Sequence, residues 1–306
     1  MRFANGQTAN TRQILHSEAS NNLGGVLLQM FAESEEAVLE FLSQRPIQTV
    51  AMAGFIRDNG MVSRHNRGTF YGYWNSKQEL EGVALIGHAT LFEARSVAAV
   101  KAFATLAKKW NDIHLIMAEQ SSVREFLHYY SDGGQSVRHS HQQILFETGR
   151  SPRQHGEVHY LRRATVNDLH LILPVHAEMC RAESGVDPLA SDSSGFRRRY
   201  ARRLKQNRTY VWVEGGELKF KADVISHTPE ATYLEGIWIN PNISGTGKAL
   251  LCLSHVVGRL LNRSQSICLL TNVTNGNAVR LYEKAGFSSQ GIFESVFLAP
   301  RANALN

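Results

Sequence analysis

Apolar residues in the last third of the chain follow two spacings in turn. Residues 234–239 and 267–270 are short runs rich in β-forming residues. Between them, apolar residues recur at the spacing of one helical face, at Leu250, Leu251, Leu253, Val256, Val257, Leu260 and Leu261. Residues 275–287 give a polar cap, a short helical pattern and a glycine stop. The pattern predicts strand, glycine-rich turn, helix from about Gly247, strand, polar loop and helix.

The earlier residues alternate between the same kinds of element. The pattern predicts strands at residues 25–31, 48–55, 68–74, 80–91 and 112–117, helices at 34–42, 97–110 and 122–130, and a strand at 137–146 that closes a sheet. After a polar segment, it predicts strands at 158–164, 209–213, 218–225 and 233–239, with a hairpin at Gly215 and Gly216. Thr165 is expected to cap a helix, residues 180–196 are turn-rich, and a further helix is marked by Phe196, Tyr200 and Leu204.

The order of elements repeats at an offset of about 150 residues, the size of one domain. We therefore predict a flexible N-terminus at 1–22, a first domain at 23–147, a linker at 148–157 and a second domain at 158–306. The first domain has no glycine turn, because residues 92–96 read Phe-Glu-Ala-Arg-Ser. An unrelated α/β domain is the alternative for this half.

Composition is that of an ordinary folded protein, with 306 residues, 43% hydrophobic and 20% charged. Cys180, Cys252 and Cys268 show neither metal nor disulfide spacing, which suits a reducing cytoplasm. No stretch is long enough to span a bilayer, and the first residues lack the apolar segment of a secretory signal. Thirteen histidines form no complete metal motif, so no metal is expected.

Two motifs in the second domain carry a family resemblance. Residues 244–249 read Ser-Gly-Thr-Gly-Lys-Ala and lead into a helix, an arrangement that exposes backbone N–H groups to an anion. The second motif has matching residues at Asn275, Ala278, Tyr282, Gly286 and Phe287. Together they resemble the acetyl-CoA-binding core of the GNAT superfamily of N-acetyltransferases, with Ser244 where that family usually has Gln or Arg. The whole chain resembles bacterial two-domain members with a degenerate N-terminal half.

The resemblance implies a fold and a co-substrate. The fold is α/β (α+β): two GNAT-like domains in tandem, each a mixed, mostly antiparallel twisted sheet flanked by helices. The co-substrate is acetyl-CoA. The residues that the resemblance assigns to it are Ile237, Trp238, Ile239, Ser244, Gly245, Thr246, Gly247, Lys248, Ala249, Asn272, Asn275, Ala278 and Tyr282.

The resemblance also implies catalytic roles. Tyr282 corresponds to the family tyrosine that protonates the CoA thiolate, and Glu235 to the strand glutamate that accepts the amine's proton. Strand alternation places Glu235 on the face of Ile237 and Ile239, away from Leu234 and Trp238. The alternatives are a tyrosine that packs on the core, a structural ion pair for Glu235, and a helix N-cap for Asn275.

The expected reaction is direct transfer of an acetyl group from acetyl-CoA to the primary amine of a small-molecule or peptide acceptor. Glu183 and Asp187, on either side of Gly185, are the preferred acceptor-binding pair, because carboxylates attract a cationic amine. Neither a membrane nor a nucleic acid is an expected partner; a homodimer is left open. Two other functions are weighed: a CoA-binding regulatory protein with weak catalysis, and an RNA- or ribosome-associated acetyltransferase that uses the basic residues at 197–208.

Overall fold

The computed structural model describes residues 24–152 and 158–301. The predicted flexible N-terminus at 1–22 and the second half of the linker, residues 153–157, therefore lie outside the described residues. The elements of the N-terminal half are β1 (Gly25–Gln29), α1 (Glu35–Ser43), α2 (Pro46–Asn59), β2 (Gly68–Asn75), β3 (Leu80–Gly87), β4 (Ala89–Ala94), α3 (Val97–Ala107), β5 (Leu115–Glu119), α4 (Gln120–Tyr130) and β6 (Val137–Thr148).

The C-terminal half repeats this order of strands and helices. Its elements are β7 (Leu161–Arg163), α5 (Leu169–Ser184), α6 (Pro188–Lys205), β8 (Thr209–Glu214), β9 (Glu217–His227), β10 (Ala231–Ile239), α7 (Lys248–Leu261), β11 (Ser266–Asn272), α8 (Gly276–Lys284) and β12 (Ser288–Leu298). The tandem, mixed α/β architecture that the resemblance implied is confirmed.

The halves exchange their last strands. Within the described residues all twelve strands form one sheet, in the order β1-β2-β3-β4-β5-β12-β6-β11-β10-β9-β8-β7. β6 pairs with β11 of the other half, and β12 pairs with β5 of the other half. The strand predicted at 137–146 therefore does close a sheet, but it is the sheet of the C-terminal half.

Each half contains one parallel strand pair that separates partway along its length. β10 pairs with β11 from Ala231↔Ser266 only as far as Leu234↔Leu269, although both strands continue. β4 pairs with β5 from Ala89↔Leu115 as far as Leu91↔Met117. Backbone groups beyond these points face a gap between strands, where a ligand can reach them.

Helix α2 joins the two halves. Its residues Ile47 and Val50 pack with Tyr233 and Cys268 of the C-terminal half. Other residues of α2 pack in the N-terminal half, against a cluster that contains Phe70. Because the helix is apolar on several sides, its sequence lacks a clear amphipathic period, and the strand predicted at 48–55 is wrong.

Two further predictions are corrected. Residues 80–91 form two strands rather than one, because the chain turns between Gly87 and Ala89. Segment 180–196 contains more helix than predicted: α5 continues to Ser184, and α6 begins at Pro188 with Asp187 as its N-cap. The chain kinks at Asp192, whose φ of −154° and ψ of 66° are not helical, so the residues that marked the predicted helix lie in the second part of α6. Proline is favoured at the first position of a helix, so Pro188 was the sequence signal for the start of α6. The hairpin at Gly215 and Gly216 and the Thr165 capping box are confirmed.

Candidate functional site

The gap between β10 and β11, here called the mouth, is shaped by a β-bulge. The pairing of β10 with β9 is irregular between Glu235 and Trp238, and Gly236 has a φ of +58°. A Cβ at Gly236 would lie 2.8 Å from the Lys221 Nζ and 2.8 Å from an Asp223 carboxylate oxygen. Glycine therefore meets both a backbone and a steric requirement at this position.

The bulge changes the face on which Glu235 lies. Ile237 and Ile239 pack with the core cluster under α7 and α8, whereas Trp238 packs with the cluster under α5 and α6. Glu235 pairs across the strands with Asp223, and its charge interacts with Arg203 on α6. The carboxylate therefore shares the α5–α6 face with Trp238. The prediction from simple alternation is wrong because the bulge interrupts the alternation.

Glu183, at the C-terminal end of α5, approaches Glu235. Loss of solvation and the charge of Glu235 together raise the pKa of Glu183 to about 7. Loss of solvation also raises the pKa of Glu235, and Arg203 opposes that rise. Both residues are exposed, so each carboxyl group keeps contact with solvent. A carboxyl group with a raised pKa beside a second carboxyl group can accept a proton from a bound amine.

A buried network of charges lies behind the bulge. Asp223 accepts hydrogen bonds from Tyr200 Oη at 2.8 Å, Thr209 Oγ1 at 2.7 Å, Lys221 Nζ at 2.8 Å and Arg203 Nη1 at 3.2 Å. Lys221 Nζ also donates to the Gly236 carbonyl oxygen at 2.7 Å. The side chains of Lys221 and Asp223 are both 0% exposed. The network therefore ties the bulge next to Glu235 to the rigid strand β9.

Across the mouth, α7 begins without a side-chain N-cap, and its first N–H, of Lys248, makes one long contact of 3.5 Å to Thr246 Oγ1. Gly245 and Gly247 have φ values of +77° and +78°, and nothing lies within 4 Å of a Cβ placed on either. The first N–H groups of a helix have no acceptor within the helix, and Gly247, the N-cap residue, offers no side chain. Thr246 Oγ1 donates to the Ile243 carbonyl at 2.7 Å, which holds the loop closed. Ser244 is exposed, and Lys248 Nζ lies 5.2 Å from the centroid of the Trp212 ring.

Helix α8 carries the second predicted motif. Tyr282 is buried, with its ring 5.9 Å from Phe146 and 6.1 Å from Phe287 by centroid. Its hydroxyl makes no hydrogen bond within the described part of the chain, and burial raises its pKa. The charge of Tyr282 interacts with that of Tyr233, a β10 residue whose pKa also responds to Glu235 and Glu183. Tyr282 therefore lies close enough to Tyr233 for their charges to interact, and Tyr233 interacts in the same way with Glu235 and Glu183.

The other predicted residues have structural partners. Asn275 Oδ1 accepts from the Ala278 N–H at 3.1 Å, so Asn275 is the N-cap of α8, and its amide group is exposed. Asn272 Oδ1 accepts from the Thr274 N–H at 2.9 Å. Asp187 Oδ1 accepts from the Leu189 N–H at 2.8 Å and caps α6. Acceptor binding by Asp187 stays a prediction, because its carboxylate already has this structural partner.

The basic residues on and after α6 are largely paired within the chain. Arg208 forms two hydrogen bonds to Asp58, at 2.5 and 2.6 Å, and Arg202 donates to Asn59 at 2.8 Å. Arg203 and Arg199 bind Asp223 and Asp192. The contacts of Arg202 and Arg208 join α6 and the connection from α6 to β8 in the C-terminal half to α2 of the N-terminal half. Much of this positive charge therefore holds the protein together instead of forming an open surface for RNA.

In the N-terminal half, the gap that corresponds to the mouth is closed. Arg45 donates to Glu93 at 2.9 Å and to Glu119 at 2.5 Å, and so links the diverging ends of β4 and β5. At the start of α3, Ser96 Oγ accepts from the Ala99 N–H and donates to Glu81. The helix end is therefore capped by its own side chain and lies beside a carboxylate, which disfavours a phosphate there.

Sequence reasoning did not find Tyr233, Lys221, Asp223 or Arg203. The signal for two of them is visible in β9, where Lys221 and Asp223 alternate with the apolar residues Phe220, Ala222 and Val224. Charged residues inside such a strand must find partners when the strand is covered on both faces.

Residues 24–152 and 158–301 contain no group of three or more His, Cys, Asp or Glu side chains that could hold a metal ion. Among the helices described, none has the length and apolar character needed to cross a membrane.

Known proteins resemble this chain in fold rather than in sequence. No protein-family model matches the chain, and no curated protein matches it significantly. A solved Drosophila protein is similar with a TM-score of 0.65 and 12% identity, over 91% of this chain and 100% of that one. A GNAT-family acetyltransferase from Colwellia psychrerythraea has a TM-score of 0.55 and 11% identity, over 90% and 100%. A tandem GNAT protein from the clavulanic acid biosynthesis pathway has a TM-score of 0.51 and 11% identity, over 90% and 99%.

Proposed function

Because the chain has the fold of tandem GNAT acetyltransferases, we propose that it transfers an acetyl group from acetyl-CoA directly to a primary amine. The observation that supports this proposal is the grouping at the mouth of an acidic pair, a buried tyrosine and an uncapped helix N-terminus. A base, an acid and an anion site are the three components that acyl transfer from a phosphorylated carrier requires.

The pyrophosphate of acetyl-CoA is assigned to the loop at residues 244–249. The exposed N–H groups at the start of α7 would donate to the phosphate oxygens, and the positive end of the helix dipole would favour their charge. Asn275 and Asn272 lie at the α8 side of the mouth, where their amides could reach the pantetheine arm.

The amine would be activated at the Glu183–Glu235 pair. An ammonium group is attracted by the pair and gives one proton to the ionised carboxylate. The nitrogen lone pair then attacks the thioester carbonyl carbon, so that a C–N bond forms. The backbone of β10 at residues 237–239 pairs with β9 but has no partner in β11, and its edge toward β11 is the proposed donor to the developing oxyanion.

Tyr282 would complete the reaction as general acid. When the C–S bond breaks, the thiolate receives the hydroxyl proton of Tyr282, and CoA leaves as the thiol. Burial raises the pKa of Tyr282, so the hydroxyl keeps its proton at neutral pH until the thiolate forms. As the amide forms, the nitrogen loses its second proton, and transfer of a proton to the Tyr282 phenolate restores the general acid.

The first test is calorimetric titration with acetyl-CoA of the wild type and of Gly247→Glu. Glutamate would place a negative charge and a bulky side chain against the phosphates, so binding should be lost. Gly216→Glu is the matched control, because Gly216 also has positive φ (+77°) and open space around it but lies in the β8–β9 hairpin. Absence of binding by wild type, or equal loss in both variants, would contradict the proposal.

The second test separates catalysis from binding. Tyr282→Phe should keep acetyl-CoA binding and lower kcat roughly 100- to 10,000-fold, the usual contribution of a positioned proton donor. Full retention of kcat in this variant would favour the alternative in which Tyr282 only packs on the core. Undetectable transfer by a wild type that binds acetyl-CoA, over a panel of amines, would favour a regulatory CoA-binding protein.

A further inference from the structure

A row of rings leads away from the mouth along one end of the sheet. The row starts beside the mouth, where Asn272 Nδ2 lies 3.2 Å from His141 Nδ1. Neighbouring ring centroids are 4.9–5.5 Å apart; in order, the rings are His141, His139, Phe297, His114 and His88. The last two rings are stacked, with an interplanar angle of 12°. The row therefore connects the mouth to the start of β4 and β5 in the N-terminal half.

The near end of this row has a structural role. The Nε2 atoms of His139 and His141 each lie 2.9 Å from the carbonyl oxygen of Glu183. Arg138 donates to the carbonyl oxygen of Ser184. These side chains satisfy the last carbonyls of α5 and so hold Glu183 at the mouth.

The far end has donors without acceptors. We call Arg67, His88 and His114 the basic corner. None of the three side chains makes a hydrogen bond or an ion pair within the described residues. Arg67 also has a φ of +54°, a conformation that is uncommon for a residue with a side chain. Such backbone strain is often found at binding sites.

The charges around the basic corner are not balanced locally. Burial, followed by the charges of Arg67, His114 and Arg199, lowers the pKa of His88 to about 3. Arg67 is exposed; partial loss of solvation and the charge of Arg199 lower its pKa, against weaker attraction by Asp192 and Asp112. Asp192 is already bound by Arg199 at 2.9 Å and by the Gly195 N–H. A bound anion would supply the missing counter-charge.

We propose that Arg67, His88 and His114 bind an oxyanion, either a carboxylate or a phosphate, that the acceptor carries in addition to its amine. This inference rests on the proposed function, because the acceptor's amine is assigned to the Glu183–Glu235 pair. A guanidinium can bind such a group through two parallel N–H bonds, and each neutral imidazole offers one further N–H. The acceptor would then lie along the row of rings, with its amine at the mouth and its anion at the basic corner.

Binding of inorganic phosphate to the chain without acetyl-CoA tests the site independently of catalysis. We would follow the imidazole proton resonances of His88 and His114 by NMR while phosphate, and separately acetate, is added. Saturable shifts of both rings, with a rise in the pKa of His88, are expected. Absence of any shift at high millimolar concentrations of both anions would overturn the proposal.

Arg67→Asn is the informative variant, because asparagine tolerates positive φ better than most residues. It should weaken phosphate binding about tenfold or more, since a hydrogen-bonded charge is lost. Arg64→Asn is the matched control: Arg64 lies three residues earlier in the same loop, is exposed, and should leave binding unchanged. An equal loss of phosphate affinity in the two variants would show that only the total positive charge matters, and would refute the site. His88→Gln is a second variant that leaves residue 67 unchanged, and it should also weaken phosphate binding.

Acetyl transfer then tests the acceptor itself. With pairs of amines that differ only by a carboxylate or phosphate in place of a carboxamide or hydroxyl, Arg67→Asn should raise the KM of the anionic member and leave that of the neutral member unchanged. Equal effects on both members would refute the acceptor assignment. If no amine is acetylated at all, the proposed function fails, while the phosphate titration still reports on the anion site.

Discussion

Replacing Lys221 with methionine should cost more stability than any surface substitution of similar size. The side chains of Lys221 and Asp223 are both 0% exposed. The Lys221 ammonium donates hydrogen bonds to Asp223 at 2.8 Å and to the Gly236 carbonyl oxygen at 2.7 Å. Removing one partner of a buried ion pair costs about 3–5 kcal/mol, since the remaining charge has lost its compensation. Arg203, Tyr200 and Thr209 still bind Asp223, so we expect the lower end, about 3 kcal/mol.

Thermal unfolding measures this loss. For a chain of this size, about 3 kcal/mol corresponds to a fall in Tm of roughly 6 °C. The control is Lys219→Met on the same strand. Lys219 pairs with Glu217, whose side chain is 61% exposed, so its loss should cost less than about 1 kcal/mol. Lys221→Met/Asp223→Leu should recover part of the loss, because both charges are then absent.

The same variant should affect catalysis through position. Without the Lys221 ammonium, the Gly236 carbonyl loses its donor and the bulge can relax, which moves Glu235. We expect kcat/KM to fall while acetyl-CoA binding at α7 is kept. A fall in Tm no larger than that of Lys219→Met would refute the reasoning on stability; an unchanged kcat/KM would refute the positioning role.

Two further predictions concern protonation. The pKa of Glu183 is raised from its usual value of 4.5 to about 7, so the folded chain holds this proton more tightly than the unfolded chain. The free energy of unfolding therefore falls as pH rises from about 4.5 to about 7. Glu183→Gln should therefore flatten that part of the stability profile and shift the acid limb of kcat/KM to lower pH; an unmoved limb would contradict the coupling to Glu235. The Arg162 guanidinium, which binds Asp168, lowers the pKa of Asp168 to about 2, so its stability contribution is present above about pH 4 and lost as pH falls towards 2. Asp168→Asn should unfold less steeply with acid than wild type, and Asp192→Asn, whose pair with Arg199 is exposed, should behave like wild type.

Local patterns predicted the elements whose neighbours lie close in sequence. The start of α7, the β8–β9 hairpin and the Thr165 cap all depend on residues within a few positions of one another. Helix α2 was missed because both halves bury it. The face of Glu235 was also missed, since one bulge reverses the alternation that follows it. Gly236, inside a strand pattern, was the available signal for that bulge.

Site residues that belong to short sequence motifs could be predicted. Site residues that are brought together by contacts between distant parts of the chain could not. Gly247 and Tyr282 belong to short motifs that can be read directly. The pairing of Glu183 with Glu235 needs α5 to end beside β6, where His139 and His141 both contact the Glu183 carbonyl oxygen. No sequence period reports such a contact, because the partners are more than 40 residues apart.

The strand exchange makes the C-terminal half dependent on the N-terminal half. β6 supplies Leu145 and Phe146 to cores of the C-terminal half, and Phe146 packs on Tyr282. Without β6, the inner edge of β11 would be unpaired, and β12 would lose both neighbouring strands. We therefore expect residues 158–306 alone to be unfolded or aggregated. The full chain, cut by a protease at a site inserted after Ser151, should remain one particle by size-exclusion chromatography and keep acetyl-CoA binding. A folded, acetyl-CoA-binding C-terminal fragment would show that the exchanged strand is dispensable and that each half completes its own sheet.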